Sequence, residues 1–65
     1  MTPEEIKVLR QSLDLTQERF AALIETTAHT VNRWENGKRK PSRLFVREMI
    51  RIREELIKGW SLQDE

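Results

Sequence analysis

The sequence predicts an all-α fold. Apolar residues recur at intervals of three and four along the chain, no segment alternates over a strand's length, and a residue able to cap a helix precedes each apolar run. With 65 residues the chain has room for one small domain. Such a chain buries only about 60% of its unfolded surface, so helix packing, a partner or both must supply its stability.

Thr2-Pro3-Glu4-Glu5 opens the first helix. Thr2 is the cap, Pro3 takes the first helical position where its missing N–H costs nothing, and Glu5 is placed to close a capping box. Ile6, Leu9 and Leu13 then turn inward, and the helix ends between Ser12 and Leu15. Thr16 caps a second helix of about eight or nine residues, with Glu18 in its first turn and Phe20, Ala21, Leu23 and Ile24 on its buried side. Glu25-Thr26-Thr27 interrupts the pattern, and Ala28, Val31 and Trp34 resume it in a third helix starting near Thr27. Asn36-Gly37 is a C-terminal stop, because either residue readily adopts the left-handed conformation. Lys38-Arg39-Lys40-Pro41 is loop, and Ser42 is placed to cap a fourth helix. That helix carries a buried stripe of Phe45, Met49, Ile52 and Leu56, flanked by Val46, Ile50 and Ile57. The domain is expected over residues 1–58, with 59–65 a short tail.

Composition excludes several kinds of chemistry. The chain has no Cys and one His, which removes thiol nucleophiles and ordinary zinc sites, and no cofactor is expected. No paired carboxylates, nucleophile arrangement or phosphate-cradling Gly loop stands out, so an enzyme is not expected. No run approaches the roughly 18 apolar residues that span a bilayer, and the start lacks the order of a signal peptide. A soluble cytoplasmic protein is the resulting expectation.

The net charge of +1 conceals a strong segregation. Residues 1–32 carry −2, residues 33–53 carry +6, and residues 54–65 carry −3. A concentrated basic segment attracts polyanions whatever the total charge, although a solvated face balanced by acids elsewhere gives the same count. Two short helices separated by three residues fit the plan in which the first lies across the DNA backbone and the second enters the major groove. His29, Thr30, Asn32, Arg33 and Asn36 are then the outward residues of the third helix. An Arg such as Arg33 matches guanine through two bonds, and an amide such as Asn32 or Gln17 matches adenine.

Residues 15–42, LTQERFAALIETTAHTVNRWENGKRKPS, resemble the Cro/C1-type helix-turn-helix family of phage repressors and bacterial transcriptional regulators, and the similarity runs more loosely over residues 3–57. The marks are Leu15-Thr16-Gln17-Glu18, Ala21, Thr27, Val31, Arg33-Trp34-Glu35-Asn36-Gly37-Lys38 and Pro41-Ser42. The resemblance implies a compact lambda-repressor-like bundle of four or five helices that binds double-stranded DNA, usually as a dimer on an inverted repeat, and a bacterial or phage origin. It implies that Gln17, Ala28, His29, Asn32 and Arg33 set base preference. It also implies that Thr16 and Thr27 at the helix starts, with Asn36, Lys38, Arg39, Lys40 and Arg43, hold phosphates, where N–H groups and cations are available. The family usually has Gly at the position of Glu25 and a small apolar residue at that of Thr26. The turn here must therefore hold a less relaxed backbone or bend differently.

Other readings accompany these. Trp34 continues the stripe of Ala28 and Val31 and is expected in the core rather than as a stacking platform. Arg47, Arg51 and Arg53 either extend the basic field or pair with Glu48, Glu54 or Glu55. Trp60, with Val46, Ile50 and Ile57, offers an apolar surface suited to a homodimer, the alternative being that Trp60 folds back on its own domain. A small repressor is the leading function. An antitoxin whose tail also binds a toxin, and a protein-interaction module without sequence-specific DNA binding, are the alternatives.

Overall fold

The computed structural model describes residues 1–59, which form four helices: α1 (Pro3–Ser12), α2 (Gln17–Leu23), α3 (Ala28–Glu35) and α4 (Arg43–Ile57). Among the described residues there is no strand. The first three helices start where the cap residues stand. At α1 the Glu5 N–H donates to Thr2 Oγ1 at 3.1 Å and the Thr2 N–H donates to Glu5 Oε1 at 2.8 Å, the reciprocal capping box. Thr16 Oγ1 accepts from the Arg19 N–H at 3.1 Å, and Thr27 Oγ1 from the Thr30 N–H at 3.2 Å. Ser42 occupies the cap position of α4, yet its side chain makes no capping bond.

The same three helices end alike. Each C-cap is followed by a residue with positive φ, at +59° for Asp14, +64° for Glu25 and +73° for Gly37. In each turn that residue's N–H returns to the carbonyl three residues back, and the next N–H reaches five residues back. The pairs are Asp14 to Gln11 and Leu15 to Arg10, Glu25 to Ala22 and Thr26 to Ala21, and Gly37 to Trp34 and Lys38 to Arg33. This double closure uses carbonyls that the helix end leaves without partners. Two of the three left-handed positions hold side-chain-bearing residues, which pay about 1–2 kcal/mol there. Glu25 settles the question raised by the absent glycine: the chain keeps the left-handed turn and accepts the strain. The turn also shortens α2 to seven residues, since Ile24 becomes its C-cap.

The core is Ile6, Leu9, Phe20, Ala21, Ile24, Val31, Trp34 and Met49, with Met1, Leu13, Leu15, Phe45 and Ile52 packed around it. Each large apolar side chain buried in this way contributes about 1.5–3 kcal/mol. Trp34 is a core residue, 1% exposed, and its ring meets Phe45 at a centroid distance of 5.3 Å in a tilted arrangement. Two expectations of burial fail. Leu23 lies at the last turn of α2 on the side away from Phe20 and Ala21 and is half exposed, and Leu56 is exposed where it lines open clefts with Val8 and Leu9 of α1 and with Leu13 and Leu23.

Candidate nucleic-acid interface

Val31 and Trp34 fasten α3 to the core, and a helix buried along that stripe presents its opposite side to solvent. That side carries His29, Asn32 and Asn36, all exposed, with Ala28 and Arg33 half-buried beside them. Thr30 lies off this face. Its hydroxyl meets Thr27 Oγ1 at 2.9 Å, and it lines a cleft with Trp34 and Phe45, so the cap absorbs a polar group that sequence spacing assigned to the surface.

Gln17 stands at the start of α2 and reaches α3. Its Nε2 donates to Glu35 Oε1 at 3.0 Å, its Oε1 accepts from Asn32 Nδ2 at 3.4 Å, and Asn32 Oδ1 accepts from Asn36 Nδ2 at 3.1 Å. The structure thus brings Gln17, Asn32 and Asn36 into one strip of amides across the two helices. Behind the strip stands an ion pair between helices α1 and α3. Arg10 Nε and Nη2 grip Glu35 Oε2 and Oε1 at 2.7 and 3.1 Å, and Arg10 Nη1 donates to the Leu15 carbonyl at 2.9 Å. The side chains are 14% and 4% exposed, and the forked geometry suits a carboxylate. Burial alone would raise the Glu35 pKa. Hydrogen bonds from Arg10 and Gln17, with the charges of Arg10 and Lys7, outweigh it and hold the carboxyl below its ordinary value. The Glu35 bond in turn raises Arg10.

Neither Arg10 nor Glu35 was a candidate functional residue from sequence. They lie 25 positions apart, and no local pattern links them. A charged residue placed beside core positions, as Glu35 is beside Trp34, is the signal that such a residue needs a partner.

Lys38, Arg39, Lys40 and Arg43 are all exposed along the loop after α3 and the first residue of α4. Ion pairs among the described residues involve Arg10 and Arg51 instead, the latter held by Glu48 and by Glu55. Among the described residues no carboxylate pairs with the loop cations, and their charge faces solvent. Thr16 and Thr27 are exposed at the starts of their helices, with their hydroxyls already accepting capping bonds. Of the residues expected at a dimer interface, Val46 and Ile50 are half-buried, Ile57 is 77% exposed, and Trp60 lies outside the described residues. Sequence spacing did not show two further exposed apolar groups, Leu23 with Leu44 and Val8 with Leu56. Among the described residues no group of three or more His, Asp or Glu could hold a metal ion, and no helix is long and apolar enough to cross a membrane.

A short helix laid against a second one, whose outward face carries amides and basic residues beside a run of exposed cations, defines a DNA-binding helix-turn-helix domain. A family model described as helix-turn-helix matches residues 6–52, and the chain belongs to that family, the Cro/C1 type its motif resembles. Over 38 residues, 58% of this chain, it is 45% identical to the type II methyltransferase M.MspI of Moraxella sp. That stretch is 9% of the methyltransferase, so the likeness concerns a small part of a much longer protein. No solved structure matches the chain.

Proposed function

We propose that this chain reads a specific sequence in double-stranded DNA and acts as a small repressor by occupying a promoter, without catalysing a reaction. The observation that carries the reading is the continuity of two surfaces. The polar face of α3, with His29, Asn32 and Arg33, runs directly into Asn36 and the exposed cations Lys38, Arg39, Lys40 and Arg43. Base edges are met by the former and phosphates by the latter, which fixes orientation as well as attraction. A homodimer formed along α4 would set two α3 helices roughly 34 Å apart and match an inverted repeat.

Selection of bound duplexes from a random library at about 0.15 M salt tests this, because nonspecific attraction to phosphate is partly screened there. The expected result is a converged inverted repeat with half-sites about one helical turn apart. Failure of a folded protein to enrich any motif would overturn the reading.

A second reading, a module or antitoxin that docks on another protein, rests on the exposed Leu23, Leu44, Leu56 and Ile57. It predicts that replacing Asn32 and Arg33 leaves partner binding intact.

A further inference from the structure

We propose that the Arg10–Glu35 ion pair is a positioning device for the DNA-reading face, fixing through Gln17 the direction in which the amides of Gln17, Asn32 and Asn36 present their donors and acceptors. The proposal rests on the sequence-reading function proposed above. Its basis is the polarity of the strip. A carboxylate only accepts hydrogen bonds, and Arg10 only donates them. With Glu35 Oε1 accepting from it, Gln17 must turn its NH2 group inward and its oxygen toward Asn32. Asn32 then has to approach with its own NH2, which leaves its oxygen for the Asn36 NH2. Reversing any amide would set oxygen against oxygen or NH2 against NH2. One charge that is nearly sealed from solvent thus orders three amides, two of them exposed.

The order has a chemical consequence at DNA. Gln17 and Asn32 each retain one unused hydrogen and one unused lone pair, and Asn36, which accepts nothing within the strip, retains one hydrogen and both lone pairs of its oxygen, in directions set by the strip. Adenine offers N7 as acceptor and N6 as donor, so an amide matches it only in the right orientation. An amide free to flip matches other edges as readily. Arg10 and Glu35 need touch no base for this effect.

The experiment is selection from a random duplex library with the wild-type chain, Asn32→Ala, Gln17→Ala, the Gln17→Ala/Asn32→Ala pair, and Arg10→Gln/Glu35→Gln, each checked for folding by circular dichroism. In the last variant the amide that replaces the Glu35 carboxylate can offer either end to Gln17. The expected result is that it binds unselected duplex as tightly as wild type, while discrimination falls about tenfold at the positions read by the amide strip. A uniform loss of affinity with the base ranking unchanged would mean that the pair serves the fold alone and would overturn the proposal. Should that variant fail to fold, the exposed Asn32 keeps the test decisive. Asn32→Ala is expected to relax preference at two neighbouring base pairs, and its effect is expected to be non-additive with that of Gln17→Ala. Additive effects confined to one base pair each would overturn the relay while leaving sequence reading intact. Absence of any motif with the wild-type chain would overturn the sequence reading itself, and the relay with it.

Discussion

Fifteen helical residues in α2 and α3 and fifteen in α4 are stabilised in different ways. The first set is split into segments of seven and eight, too short to persist in water, and each is held by a threonine cap and buried anchors, Phe20 and Ala21 in one and Val31 and Trp34 in the other, while a residue of positive φ follows the C-cap of α2, α3 and α4 alike. The second set runs unbroken. Its cap position makes no side-chain bond, its fully buried residue is Met49, and Arg51 links to Glu48 and Glu55 along its surface. The short pair leaves only Leu23 exposed among its large apolar residues, whereas α4 leaves Leu44, Leu56 and Ile57. Local anchoring is concentrated in the two helices of the helix-turn-helix, and exposed apolar surface is greatest along α4.

Emptying the anchored half has the largest expected effect. Trp34→Ala is expected to cost about 4 kcal/mol, most of what a chain of this size has, and to unfold it. Leu56→Ala at the exposed end is expected to cost less than about 1 kcal/mol. Urea titration followed by circular dichroism distinguishes the two.

Next comes the ion pair behind the amide strip. Glu35→Ala leaves Arg10 without its carboxylate and is expected to cost about 3 kcal/mol. The same group makes a pH prediction. Its folded pKa is depressed below 4.5, so its contribution is complete above that value and is lost as pH falls through the folded value. Thermal midpoints of the wild-type chain are therefore expected to fall below about pH 4.5, and Glu35→Gln is expected to flatten that slope.

Smaller still is the contrast between caps. Thr27→Ala is expected to cost about 1 kcal/mol and Ser42→Ala less than about 0.5 kcal/mol, because only the threonine accepts a backbone N–H. The smallest change has the opposite sign. Glu25→Gly relieves a left-handed residue and is expected to raise stability by about 0.5–1 kcal/mol after the added freedom of the unfolded glycine is subtracted. A rise in thermal midpoint measures it, and a fall would mean that the Glu25 side chain supports the turn.

Sequence and structure agree best where the determinants are local. Thr2, Thr16, Thr27 and Gly37 mark helix ends through bonds that span three to five residues, and the sequence alone places them. The polar face of α3 follows from its period, since Val31 and Trp34 fix which side is buried. The Arg10–Glu35 pair is not legible in this way, because only the folded chain brings α1 and α3 together. Asp14 gives little warning of its positive φ, as it can serve equally as an ordinary polar turn residue. The exposure of Leu23 and Leu56 depends on how closely neighbouring helices approach them, since both line an open cleft with Leu13, and periodicity alone does not specify that distance.

The closing turns bear on how quickly the chain reaches this state. Asp14 and Glu25 each stand two residues before the next threonine cap, so α1, α2 and α3 follow one another with almost no intervening loop. Little loop entropy opposes the collapse of one helix on the next, and helical proteins dominated by such local contacts fold in microseconds to milliseconds. The turns that close α1 and α2 therefore also shorten the search by which α1, α2 and α3 come together.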